Sequence, residues 1–243
     1  MIADDARVLY RLLRGQPRRG SHAERLQAFY GPQAGDYDRF RERLLKGRDD
    51  LVGLLDPPPG SRILELGGGT GRNLMSFGAR LDGFASVELV DLCPALLEQA
   101  RKRTAGMANV RVIEADATTY RPDIPPDVVY FSYALTMIPD WRGAIVNAVE
   151  MLRPGGTLGV VDFYVSDAAG GPGTVRHDAF TRWFWPHWFG HDGVHPNPEH
   201  LRLLRHLLPA HDVREHRAPV PYLPGLRVPY YLFVGRRSGA APG

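Results

Sequence analysis

The stretch Glu65-Leu66-Gly67-Gly68-Gly69-Thr70-Gly71 decides how this sequence is read. It closes a run of strand character, Arg62-Ile63-Leu64-Glu65-Leu66, and opens into a segment with helical spacing from Arg72 to Arg80. Strand, glycine turn and helix in that order put the turn at the carboxyl end of a strand, where an open α/β sheet forms its ligand crevice. Glycines there let the backbone approach a ligand closely. Helix N-terminal amides can meet an anionic group of that ligand. The spacing is Gly67-x-Gly69-x-Gly71, not the Gly-x-Gly-x-x-Gly of a dinucleotide-binding turn. Glu65 stands two residues before the first glycine, where a carboxylate repels a pyrophosphate and suits a cationic ligand.

Outward from the turn the alternation continues. Strands are expected at 86–91, 110–114, 128–132 and 157–163, with helices at 94–103 and 141–152. Pro94 suits the first turn of its helix, and Pro154-Gly155-Gly156 marks a turn before the fifth strand. After Phe163 the rhythm breaks into a segment rich in glycine, histidine and aromatic residues. A helix at 198–208 and strands at 212–217 and 229–236 resume it, the last two as an antiparallel pair. Upstream, Tyr37, Phe40, Leu44, Leu45, Leu51, Val52 and Leu55 recur at helical spacing, so residues 36–55 read as one amphipathic helix stopped by Pro57-Pro58-Pro59-Gly60. Residues 1–20 read as a basic helix or arm. The fold class is a Rossmann-like, doubly wound α/β domain with a seven-stranded sheet, an antiparallel C-terminal strand pair and an N-terminal helical cap.

Composition bounds the function classes. With 44% hydrophobic and 23% charged residues among 243, the chain can bury a core. Lysine occurs only at Lys46 and Lys102 among 30 basic residues. That skew fits either codon composition or a surface that meets phosphate or anionic lipid. A net charge of +3 does not argue for a nucleic-acid partner, and none is expected. The one cysteine, Cys93, allows neither an internal disulfide nor a multi-cysteine metal site. No run of about 18 apolar residues is present, so a cytoplasmic protein is expected, with any membrane contact peripheral at the inner face.

Three further signals follow the glycine turn. Asp91 ends the second strand, 24 residues beyond Gly67, where a carboxylate accepts ribose hydroxyls. Asp116-Ala117-Thr118 follows the third strand, where a carboxylate can take an adenine amino group. Ser132-Tyr133-Ala134-Leu135-Thr136-Met137-Ile138-Pro139 follows the fourth, polar at its start and apolar at its end. These signals, with Leu152-Arg153-Pro154-Gly155-Gly156, resemble the ordered motifs of class I S-adenosylmethionine-dependent methyltransferases over roughly residues 37–165. The resemblance implies S-adenosyl-L-methionine as cofactor and S-adenosyl-L-homocysteine as product. It implies that the turn of Gly67, Gly68, Gly69 and Gly71 holds the methionyl part, that Tyr37 sits in a lid over the cofactor, that Arg48 meets the cofactor carboxylate or a lipid phosphate, and that Glu65, Asn73 and Leu74 are further cofactor contacts. Asp91 would hold the ribose, Asp116 with Ala117 the adenine, Ser132 and Tyr133 would line the methyl-transfer site, and Leu92, Thr118 and Ile138 are further cofactor contacts. Gly68 departs from the cysteine or other small residue common in the family, a harmless change on this reading.

Tyr37-Asp38, Leu44-Leu45-Lys46-Gly47-Arg48-Asp49, Gly71-Arg72-Asn73-Leu74 and the stretch from Ser132 to Pro139 are similar to betaine-lipid N-methyltransferases. That similarity implies a lipid-linked homoserine or similar small amine as acceptor. On this reading residues 1–56 form the cap and 57–243 the methyltransferase domain, with an insert at about 164–197 as substrate cover. An amine acceptor must lose a proton, so Tyr133, Tyr37 and His187 are the catalytic candidates. Trp183, Trp185 and Trp188 are candidate substrate contacts, or a cover over the sheet's own core. His187, His191 and His195 recur every four residues, but Gly190, Gly193 and Pro196 break the helix that a metal face needs, and no metal is expected. Methylation of another small molecule on oxygen, carbon or nitrogen is the alternative, followed by a nucleotide-binding oxidoreductase.

Overall fold

The computed structural model describes residues 20–30, 43–169, 175–190, 193–221, 223 and 225–239. Tyr37, His191 and the basic arm at 1–19 lie outside them. Seven strands form one sheet in the order β3-β2-β1-β4-β5-β7-β6. These are β1 (Arg62–Leu66), β2 (Ser86–Asp91), β3 (Val110–Glu114), β4 (Val128–Ser132), β5 (Thr157–Phe163), β6 (His211–Pro219) and β7 (Arg227–Arg236). The first five run parallel; β7 pairs antiparallel with both β5 and β6. The chain reverses strand order between β1 and β4, so a crevice opens outside their carboxyl ends.

Helices cover both faces, as burial of a parallel sheet requires. On one face lie α2 (Arg48–Leu55), a 3₁₀ helix (Arg72–Gly83), α3 (Pro94–Arg103) and α5 (Ala179–Gly190). On the other lie α4 (Trp141–Met151) and α6 (Pro198–Leu207). A further helix, α1 (His22–Tyr30), packs on the start of α3 through Leu26, Cys93 and Leu96. The Gln27 side-chain oxygen accepts from the Ala95 amide at 3.1 Å, satisfying a donor that α3 cannot pair internally. Asp140 and Asn197 cap α4 and α6 through side-chain oxygens.

Two helices differ from the sequence reading. The apolar spacing from Leu44 to Leu55 is helical, yet the chain breaks at Lys46-Gly47 and α2 begins at Arg48. Gly47 takes φ 82°, and a side chain there would sit 2.7 Å from the Tyr230 ring. Leu51, Val52 and Leu55 of α2 are buried on the sheet, each worth about 1.5–3 kcal/mol against exposure. The segment after the glycine turn is 3₁₀ rather than α-helical, with a kink at Gly78.

The aromatic segment 180–189 is helical despite Pro186, and it splits by face. Trp185 and Phe189 are buried with Phe163, whereas Phe180 and Trp183 are 52% and 59% exposed. Trp188 is half-buried against the same core. The segment before α5 is pinned through buried His177, which exchanges hydrogen bonds with Ser166. Among the described residues no helix is long and apolar enough to cross a membrane.

Gly68 is a packing requirement rather than a neutral departure, because a Cβ there would lie 2.5 Å from Leu89 Cγ. Gly68→Ala is expected to destabilise the protein by about 1–3 kcal/mol. In a double-mutant cycle with Leu89→Ala, thermal denaturation should show part of that cost recovered. Additive effects would remove Leu89 as the constraint.

Candidate functional site

The glycine turn is held from behind by β2, whose Val90 carbonyl accepts from the Gly67 and Gly68 amides at 2.8 and 3.1 Å. Gly67 has φ 70°, and a Cβ there would strike the Ala134 methyl at 2.5 Å. The turn therefore lies flush with the loop after β4. Asp91, at the end of β2, accepts from the Gly69 amide at 2.9 Å with one oxygen and from the Cys93 amide at 2.8 Å with the other. Asp116 accepts from the Thr118 amide and hydroxyl at 2.8 and 2.7 Å, shaping the turn after β3. On the far side, Thr136 is fixed through its amide and hydroxyl by the buried carboxylate of Asp162 on β5. The Thr136 carbonyl also accepts from the His195 amide at 2.7 Å.

These turns enclose a cavity of about 320 Å³. Of the sequence candidates, Arg48, Gly67, Gly68, Gly69, Asn73, Asp91, Leu92, Asp116, Ala117, Thr118, Ser132, Tyr133 and Ile138 line it. Leu74 is instead fully buried in the core, and Glu65 sits behind the wall without exposure. Gly71 lies beside the wall, packed on Leu89 and Ala100. Met137, from the apolar end of the stretch after β4, also lines the cavity, as does Leu26 of α1, which was not anticipated. Leu26 had no motif to flag it, since its role depends on α1 docking across the start of α3.

The catalytic candidates fare differently. Tyr133 takes the left-handed conformation at φ 55°, uncommon for a bulky residue. Its hydroxyl donates to the Lys46 carbonyl at 2.6 Å, and burial pushes its pKa well above the ordinary tyrosine value. The hydroxyl is thus committed to the Lys46 carbonyl and ties the Lys46-Gly47 break to the crevice wall. The Arg48 guanidinium lies 5.7 Å from the Tyr133 ring centroid. His187 is exposed on α5, with Nδ1 2.6 Å from the Trp183 carbonyl, and does not line the cavity. Trp183, Trp185 and Trp188 do not reach it either.

Buried acceptors mark what the crevice takes. Glu65 accepts from the Asn73 amide nitrogen at 2.5 Å, yet its second oxygen and Asn73 Oδ1 are buried without a hydrogen-bond donor. The Tyr130 hydroxyl neighbours Glu65 outside hydrogen-bonding geometry. Asn73 lines the crevice, so its unmatched oxygen calls for a donor from the ligand side, whereas Glu65 lies behind the wall.

Residues 63–156 match the methyltransferase domain family. A ubiquinone/menaquinone biosynthesis C-methyltransferase of Ectopseudomonas mendocina is 30% identical over 150 residues, 58% of this chain and 59% of that protein. An aklanonic acid methyltransferase of Streptomyces sp. is 28% identical over 145 residues, 57% of this chain and 64% of that protein. The chain thus spans roughly three-fifths of the length of the curated relatives it matches. The structure of an O-methyltransferase family protein from Burkholderia thailandensis superposes with a TM-score of 0.66 at 21% identity, covering 98% of this chain and 69% of that one. Over residues 63–156 the chain is thus similar to a methyltransferase domain, and its seven-stranded sheet has the Rossmann-like fold of such enzymes, which use S-adenosylmethionine.

The crevice fits that cofactor. Asp91, Asp116 and Asn73 put acceptors on its wall, and the buried carboxylate of Glu65 lies behind Asn73, which donates to it. Burial pushes the Glu65 carboxyl up to about 7, against the opposing hydrogen bond from Asn73. The unfolded reference lies near 4.5, so the stabilising contribution of this group is full below that value and lost as pH rises through about 7. Glu65→Gln removes this ionisation. The stability of the variant relative to wild type should rise between pH 5 and pH 8, by roughly 1–3 kcal/mol. Thermal melts at both pH values test this, and a constant difference would remove the assigned shift.

Proposed function

We propose that the protein is an S-adenosylmethionine-dependent methyltransferase acting on the nitrogen of a small or lipid-linked amine, of the diacylglyceryl-homoserine kind. The observation that carries the methyl-transfer reading is the crevice itself, a glycine turn locked to Asp91 beside buried acceptors that lack a donor. When bound, S-adenosylmethionine supplies a sulfonium methyl: the acceptor's lone pair forms the new bond to carbon, and the carbon–sulfur pair remains on sulfur. The chain's own residues position and exclude water. Asp91 fixes the turn, Tyr133 and Arg48 wall the methionyl end, and Leu26 and Met137 shield the opposite side. Holding the reactants in line supplies much of the rate in such a displacement.

Neither the Tyr133 hydroxyl, which is committed to the Lys46 carbonyl, nor His187, which lies off the cavity, is placed to take the proton of the amine. The amine therefore arrives neutral and its proton leaves to solvent after the bond forms. The amine and its lipid linkage rest on the sequence similarity of the stretches around Lys46, Asn73 and Tyr133. The exposed rings of Phe180 and Trp183 support contact with a bilayer interface, where aromatic side chains are favoured.

Purified protein incubated with methyl-labelled S-adenosylmethionine and diacylglyceryl-homoserine in mixed micelles should pass label to the lipid extract. No label there, from protein that binds the cofactor, would redirect the search to soluble acceptors. Trp183→Ala should lower sedimentation with liposomes several-fold; unchanged sedimentation would exclude α5 as the contact.

A further inference from the structure

A second cavity, of about 740 Å³, adjoins the cofactor crevice. It is built from three places distant in sequence: the chain entering α2, the start of the 3₁₀ helix, and the ends of β6 and β7 that meet at the carboxyl edge of β5. Arg48, Arg72 and Asn73 line both cavities, so the two share a wall there. The floor is apolar and aromatic, with Met75, Ala218 and the ring of Tyr230.

Among the described residues that line this cavity, cationic side chains outnumber carboxylates. Lys46, Arg48, Arg72 and Arg217 stand against Asp49 and Asp50. Asp49 already accepts from the Ser76 hydroxyl at 2.6 Å. Lys46 and Arg48 flank the amino end of α2, where the helix dipole disfavours cations. The adjacent Gly47 supplies no side-chain cap, and Asp49 and Asp50 in the first turn offset the dipole in part. Arg217 reaches Asp178 only at 3.9 Å and keeps 40% of its side chain exposed. Cations gathered at the unfavourable end of a helix, in a concave site, concentrate a field that draws anions.

We propose that this second cavity is the acceptor site and takes a substrate bearing an anionic group, carboxylate or phosphate. Lys46 and Arg217 hold that group, and the nucleophile points past Asn73 and Arg72 toward the crevice. The inference rests on the methyltransferase reading and narrows its acceptor to molecules with a negative charge on the side away from the reacting atom. An amino acid headgroup meets that requirement and a simple alkylamine does not.

The test uses the full chain saturated with S-adenosylhomocysteine. Isothermal calorimetry at fixed ionic strength follows titration with succinate and, separately, with inorganic phosphate, against a chloride control. At least one anion should bind, and Arg217→Gln and Lys46→Gln should each weaken it about tenfold while affinity for S-adenosylhomocysteine stays within about twofold. Binding of succinate alone identifies a carboxylate acceptor, binding of phosphate alone a phosphate ester, and binding of both supports the anionic site. No binding of either anion, or equal binding by wild type and both variants, overturns the proposal. Failure to bind S-adenosylhomocysteine at all would instead overturn the methyltransferase reading on which it rests.

Discussion

One carboxylate holds the crevice together. Asp91 has two oxygens, and each takes a backbone amide from a different turn, Gly69 after β1 and Cys93 before α3. Hydrogen bonds to an ionised acceptor are about twice as strong as neutral ones. Their effect here is geometric: the glycine turn cannot move outward without breaking the bond that also orients the start of α3. The Val90 carbonyl holds the same turn from the strand side. A flexible, glycine-rich sequence thereby becomes a rigid floor, which is what a site relying on positioning requires.

The walls depend on contacts that reach far along the chain. Asp162 is buried with its carboxyl pushed up to about 6 by desolvation, and the Thr136 hydroxyl and nearby amides oppose that shift. A charge kept under that strain fixes the loop carrying Met137 and Ile138. From the opposite direction α1 brings Leu26 and Gln27 onto Cys93 and Ala95. The cofactor crevice is therefore assembled by β1, β2, β3, β4 and β5 together with a helix preceding all of them.

The parallel strands and the motif turns were legible because their apolar runs and glycines are local signals. β1 to β5 fall where the sequence reading put them, and the two last strands extend that reading by one or two residues. Where the reading failed, a tertiary contact had overridden a local pattern. The leucines from Leu44 to Leu55 keep helical spacing across a break imposed by Gly47 and by the Tyr133 hydroxyl on the Lys46 carbonyl. The aromatic segment announced itself by composition, but composition could not say which rings face inward. Trp185 is buried and Trp183 is not because Trp185 and Phe189, four apart, share the face that meets Phe163. Leu74 sits one residue beyond a wall residue, and in a tight 3₁₀ turn that step points it into the core.

The position of β7 sets an order on biosynthesis. The strand lies between β5 and β6, although β6 precedes it in the chain. While a ribosome is still making residues 227–236, the β5 edge is open and β6 has no neighbour to join. Val160, Val161, Phe163 and their neighbours then present an apolar, hydrogen-bonding edge of the kind that recruits other chains. The parallel half can form first around β1, but the nascent protein needs either rapid completion or a chaperone's shelter until its last strand slides into the gap.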